Sequence, residues 1–215
     1  MKENIKVKIG SRLDKGVSAL DFGVNFKTST EKVKPNKLQY VLNRLLPNFI
    51  RIKECREVAD DFNARYDAIS KTYLYVIERK VENPLLIEVC WHPIFDFDIE
   101  TFRNVSKLYV GNHCFDFFGS EEEKDGKILS IEDVWVEEKG NYVLWRVKGR
   151  SFLRYQVRFM VGTAYEIAAG RTSIAEITSR LDGKKTTVHH KAPASGLILE
   201  KVEYDFERSE NLAKE

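Results

Sequence analysis

Residues 127–137 and 142–148 alternate apolar and polar side chains on either side of Gly140-Asn141. Such alternation fits strands with one face covered, and a Gly-Asn connection suits the tight turn between antiparallel neighbours. The chain must therefore build a sheet around this β-hairpin and supply something to cover it. Helical spacing supplies candidates: residues 98–110 closed by Gly111-Asn112, residues 151–169 ended by Gly170, and a shorter run over 173–181. Ahead of them, strands are predicted over 5–9, 17–26, 49–58 and 71–79. A helix spans 35–46, from Pro35 to the stop at Pro47, and a last strand covers 197–206. The mixed order predicts an α+β chain with mainly antiparallel sheet rather than a doubly wound one. Asn83-Pro84 divides it into an N-terminal α/β half (1–83) and a C-terminal α/β half (84–207), followed by a polar tail (208–215).

With 43% apolar and 32% charged residues in 215, the chain can bury a sizeable core, which excludes disorder as its ground state. Cys55, Cys90 and Cys114 are odd in number and widely spaced, which fits a reducing compartment. No run approaches the roughly 18 to 20 apolar residues of a membrane span, and no apolar signal core follows Met1. The expectation is a cytoplasmic protein without a membrane partner.

A net charge of +2 hides an uneven distribution. Between Gly119 and Gly140 there are eight acids and three bases, whereas residues 142–171 hold six bases and the single acid Glu166. That basic stretch carries Tyr142, Trp145, Phe152 and Tyr155 between its cations, a pattern suited to phosphates and unpaired bases. The same pattern also describes a solvated basic face with its aromatics in the core. His189-His190, after Gly183-Lys184-Lys185, is either a solvated loop or a further RNA contact. Cys90-Trp91-His92 and His113-Cys114 match no zinc-ligand spacing, so no metal is expected.

The loop Gly10 to Ala19 holds Asp14 between Arg12 and Lys15 and ahead of Gly16. Taken alone, it is either a carboxylate presented to a ligand or an ordinary Asp-containing turn. Arg12-Leu13-Asp14-Lys15-Gly16-Val17-Ser18-Ala19 resembles the active-site signature of the tRNA pseudouridine synthase A family, Arg-Thr-Asp-x-Gly-Val-x-Ala. Further likenesses follow in order. Phe62 to Tyr66 and Lys71-Thr72-Tyr73-Leu74-Tyr75 resemble the family's Phe-x-Ala-Arg and Tyr-x-Tyr segments, and Gly111 to Phe117 its Gly-x-His-x-Phe region. Phe152 to Gly162 resembles its helix with a central arginine, and Ala192 to Leu199 its closing Ala-Pro-x-x-Gly-Leu strand. The chain departs from the pattern at Leu13, where the family has threonine, and in having Asp14 as only its fourteenth residue, without the family's first strand and helix ahead of it.

The resemblance implies an isomerase that converts uridine to pseudouridine in tRNA, with no cofactor. Its fold would be two ferredoxin-like halves with mainly antiparallel sheets joined around a basic central cleft, the first half incomplete. A homodimer would hold the tRNA. By the same resemblance Asp14 is the essential carboxylate and Arg158 its guanidinium partner. Tyr73 is the residue that stacks on uracil and takes the C5 proton, with Tyr75 and Tyr66 as its competitors. Leu197 would pack on the base, Arg12 would fill the place of the everted nucleotide, and Lys15 and Arg154 would contact the substrate RNA. The target would lie in the anticodon stem-loop, at about positions 38 to 40. Two alternatives stay open: action on other tRNA uridines, and RNA binding without catalysis.

Overall fold

A computed structural model gives the fold, described for residues 3–29, 34–80, 83–120, 126, 128–184 and 190–206. Strands β1 (Lys8–Ile9), β2 (Ser18–Ala19) and β3 (Val24–Asn25) precede helix α1 (Pro35–Leu45) and the long strand β4 (Ala68–Glu78). Helix α2 (Ile99–Lys107), strand β5 (Gly111–Cys114) and the hairpin β6 (Ile128–Lys139) and β7 (Tyr142–Gly149) follow. Helices α3 (Gln156–Ala168) and α4 (Ala175–Leu181) lead to β8 (Leu197–Tyr204). The class is α+β, with a six-stranded sheet in the order β2-β8-β4-β7-β6-β5 and a separate β1-β3 pair. The β4-β7, β7-β6 and β6-β5 pairings are antiparallel, while β2 runs parallel to β8. The polar tail expected over 208–215 lies outside the described residues.

The chain forms two compact units that are discontinuous in sequence: one from 1–10, 23–67 and 204–215, the other from 11–22 and 68–203. In the larger unit the hairpin forms where alternation predicts it, with Gly140 at φ +60° in the turn. Val143, Trp145 and Val147 are buried on one face of β7, while the residues between them stay half exposed. Across the ladder, Trp145 pairs with Tyr75 and Val147 with Tyr73, which puts both tyrosines on the same covered face.

Helix α2 begins where Asp98 accepts a 2.7 Å hydrogen bond from the Thr101 amide, and it packs on β6 and α3. Trp145 Nε1 donates to Ser106 Oγ at 2.8 Å, and Ser106 Oγ donates to the Phe102 carbonyl, so the buried indole leaves no polar atom unpaired. Helix α3 is buried at every residue but Arg158 and Phe159. It starts at Gln156, not at the expected 151, because Tyr155 adopts the left-handed conformation at φ +69° and breaks the helical run. The Gln156 side chain accepts from the Leu153 amide at 2.8 Å and ties down the loop left in front of the helix.

Two stretches depart from the periodicity. Residues 17–26, expected as one strand, divide into β2 and β3, which belong to different sheets. Residues 49–58, also expected as a strand, form no ladder. Their backbone groups bond to helix side chains instead. Asn43 Nδ2 donates to the Ile52 carbonyl at 2.9 Å and Asn43 Oδ1 accepts the Ile52 amide at 2.7 Å, while Gln39 Nε2 donates to the Lys53 carbonyl. In the smaller unit Phe62 and Ala64 are buried and Tyr204 is half-buried beside them: the Tyr204 hydroxyl donates to the Ala64 carbonyl, and its ring meets Phe62 edge-on. Helix α1 forms as expected after Pro35, but none of its residues is buried.

Asn43 accepts the Ile52 amide and donates to its carbonyl, which Gln39 Nε2 also reaches at 3.2 Å. Asn43→Ala should therefore cost about 1 to 2 kcal/mol, read as a lower denaturant midpoint together with faster amide exchange at Ile52.

Candidate active site

The turn that carries Asp14 is set by Gly16. The Val17 amide donates to the Asp14 carbonyl at 3.1 Å, and Gly16 takes φ +89° at the third position of the turn, which a side chain would resist. Two residues later β2 locks onto β8 through Ser18 opposite Ile198 and Ala19 opposite Leu199. The Asp14 loop is thereby fixed beside the start of β8, where Leu197 is buried.

From the other side of the sequence, Arg158 projects from the first turns of α3. Its Nη1 donates to Asp14 Oδ2 at 2.9 Å, with the side chains only 12% and 17% exposed. Its Nε donates to the Ala192 carbonyl at 2.8 Å, and the Ala192 amide donates back to the Arg158 carbonyl at 3.1 Å. The guanidinium is thus held by a backbone oxygen on one edge and the carboxylate on the other. A fixed fork of donors permits this; a lysine ammonium does not.

The strap that supplies Ala192, residues 190–196, crosses α3 at Gly162. A Cβ at Gly162 would stand 2.1 Å from the His190 carbonyl oxygen, so only glycine allows the approach. His190, expected in a solvated loop or on RNA, turns back to Glu166 of α3 with Nδ1 3.1 Å from Oε1. The Pro193 carbonyl accepts the Tyr75 hydroxyl at 2.7 Å, and a Cβ added at Gly16 would stand 3.4 Å from Ala194 Cβ. His189 lies outside the described residues.

The three tyrosines separate by environment. Tyr66 belongs to the smaller unit and is exposed. Tyr75 is fully buried with its hydroxyl committed to Pro193. Tyr73 is buried against Phe152, edge-to-face at 5.1 Å, and its phenol is the one that senses Ser11 and Asp14. Burial pushes that phenol up to about 12; the Ser11 hydroxyl beside it pulls the other way, and the Asp14 carboxylate adds to the rise. Ser11, which no periodicity marks, is itself buried, and its hydroxyl completes no well-formed hydrogen bond.

Arg12 and Lys15 are exposed and make no hydrogen bond or ion pair with any described residue. Arg154 is exposed with its guanidinium 4.6 Å from the centre of the Tyr155 ring. The aromatic and basic stretch divides. Trp145 is core, whereas Phe152 is half-buried with an edge-to-face contact to Tyr73. Arg146 is paired with Glu200 and Glu137, and Lys148 with Glu203 and Glu132. Of the cysteine and histidine pairs, Cys90 is buried and His92 Nδ1 faces the buried Glu78 at 3.2 Å, while His113 Nε2 lies 3.1 Å from the Val110 carbonyl. Among the described residues no helix is long and apolar enough to cross a membrane.

Two measurements check this geometry. Gly162→Ala should destabilise the protein by about 1 to 3 kcal/mol, seen as a lower thermal midpoint, because the strap must lift from α3. Keeping Tyr73 neutral favours the folded state fully below about pH 10, and that contribution is lost as pH rises through about 12. In an alkaline absorbance titration, the difference between wild type and Tyr73→Phe should therefore report a phenol ionising well above the free value.

A family model described as tRNA pseudouridine synthase matches residues 105–205. The tRNA pseudouridine synthase A of Aquifex aeolicus is 36% identical over 93% of this chain and 83% of its own length. That of Thermoanaerobacter sp. strain X514 is 34% identical over 94% and 84%. That of Dictyoglomus thermophilum is 36% identical over 94% and 84%. With its α3 arginine and its closing strand inside the residues that the family model matches, the chain belongs to the tRNA pseudouridine synthase A family.

Proposed function

We propose that this protein isomerises uridine to pseudouridine in tRNA, in the anticodon stem-loop at about positions 38 to 40, acting as a homodimer in the cytoplasm. The observation that carries the reading is the 2.9 Å contact between Asp14 and Arg158, made across 144 residues of sequence in a chain of this family. The reaction breaks the bond from N1 to C1′, turns the uracil, and joins C5 to C1′. N1 gains a proton and C5 loses one, so no oxidant, reductant or cofactor enters the balance.

Asp14 is the carboxylate that engages the nucleoside, and Arg158 holds it in register while supplying the opposite charge in a site largely closed to water. Tyr73 walls the uracil. Its phenol, held protonated at neutral pH, takes the C5 proton only in a step in which it gives up its own. Leu197 packs against the base, and Arg12, Lys15 and Arg154 meet the RNA backbone or the space left by the everted nucleotide.

Mapping pseudouridine in an unmodified tRNA transcript tests the reading. Wild type should form it, Asp14→Asn should form none, and Tyr73→Phe should lose about 100-fold or more in rate. Arg158→Lys keeps the charge but cannot hold Ala192 and Asp14 together, so it should fall with Asp14→Asn. Binding of tRNA without product from wild type would replace the isomerase by a binding protein, and product at other uridines would correct the position.

A further inference from the structure

Tyr155 is the only described non-glycine residue in the left-handed region, at φ +69°. A bulky side chain held there is strained, and such strain persists only where the surroundings impose it. The result of the strain is a ring ringed by cations. Lys191 Nζ lies 4.1 Å from its centroid, the Arg154 guanidinium 4.6 Å and the Arg158 guanidinium 5.6 Å. Lys191 also lies 5.9 Å from the Phe159 ring.

These charges are not alike in their compensation. Arg158 is neutralised by Asp14, whereas Lys191 is exposed and makes no hydrogen bond or ion pair with any described residue. The electron-rich ring face offsets part of the repulsion but leaves the positive charge in place. An anion that arrives beside Arg158 would complete the cluster. Its donors are ammonium and guanidinium groups suited to phosphate oxygens.

We propose that Lys191, set against the Tyr155 ring, clamps a phosphodiester of the RNA strand, next to the nucleotide that enters the Asp14–Arg158 site. This rests on the reading of the protein as a tRNA-modifying enzyme. The ring fixes where the Lys191 ammonium stands, and the strap that positions Arg158 through Ala192 also delivers Lys191, so catalytic pair and clamp share one support. Arg158 touches both groups and sets the spacing between the reacting nucleoside and its neighbouring phosphate.

The test measures tRNA binding by fluorescence anisotropy across a salt series, alongside pseudouridine kinetics, for wild type, Lys191→Ala, Lys191→Glu and Tyr155→Gly. Glycine removes the ring but accepts the backbone conformation, so its fold is not put at risk by strain. The expected result for Lys191→Ala is a slope of log affinity against log salt that is shallower by about one. In the kinetics the effect should fall on KM rather than kcat. Lys191→Glu should weaken binding further, and Tyr155→Gly should match Lys191→Ala. Wild-type salt slopes in both Lys191 variants, or a wild type that does not bind tRNA, would overturn the clamp. A wild type that makes no pseudouridine while Lys191→Ala still flattens the slope would leave the clamp standing and remove the isomerase reading.

Discussion

The clasp between the 190–196 strap and helix α3 supports everything else in the larger unit's site. Arg158 and Ala192 exchange hydrogen bonds in both directions, and Gly162 lets the strap's backbone come within contact of the helix. A guanidinium on a long flexible stem has many rotamers, and ordering it near a carboxylate costs side-chain entropy of about 2 kcal/mol. The backbone oxygen of Ala192 removes most of that freedom before any ligand arrives. The same strap accepts the Tyr75 hydroxyl, passes close to Gly16 in the Asp14 turn and runs into Leu197, so one segment of backbone sets four parts of the site.

Electrostatic pairing separates structural cations from those left for a ligand. On the half-exposed face of β7, Arg146 and Lys148 lie between carboxylates of β6 and β8. Glu203, bonded by Lys148, Lys201 and Ser70, is held down at about 2. These charges are engaged in holding strands together, each exposed pair contributing little alone but fixing neighbouring registers. Arg12, Lys15 and Lys191, on loops around the Asp14–Arg158 pair, have no such engagement among the described residues. A basic count over residues 142–171 cannot make that distinction, because the neutralising acids Glu132, Glu137, Glu200 and Glu203 lie outside it or on other strands.

Several elements could be read directly because local chemistry decides them. The hairpin at Gly140-Asn141, helix α2 behind its Asp98 cap, helix α1 behind Pro35 and strand β4 all form where their patterns place them. Residues 49–58 failed for a reason no strand propensity contains: amides on α1 took the backbone groups that a neighbouring strand would have used. The start of α3 slipped because the apolar spacing over 151–155 is compatible with a helix, while the packing of Tyr155 enforces a left-handed residue.

The amino-acid sequence by itself determined the α+β class, the Asp14 loop with its glycine turn, and the likeness to a family of RNA isomerases, since each of these is written in contiguous residues. The pairing of Arg158 with Asp14 and the choice of Tyr73 came only from the resemblance; tertiary structure alone supplies the bond between the two, the Tyr73 phenol beside that carboxylate, and Trp145 in the core. Alternation places Tyr73 and Tyr75 on one face and stops there. What separates them is the Pro193 carbonyl, brought in from 118 residues away, and periodicity reports which way a side chain points but not what the rest of the chain sets in front of it.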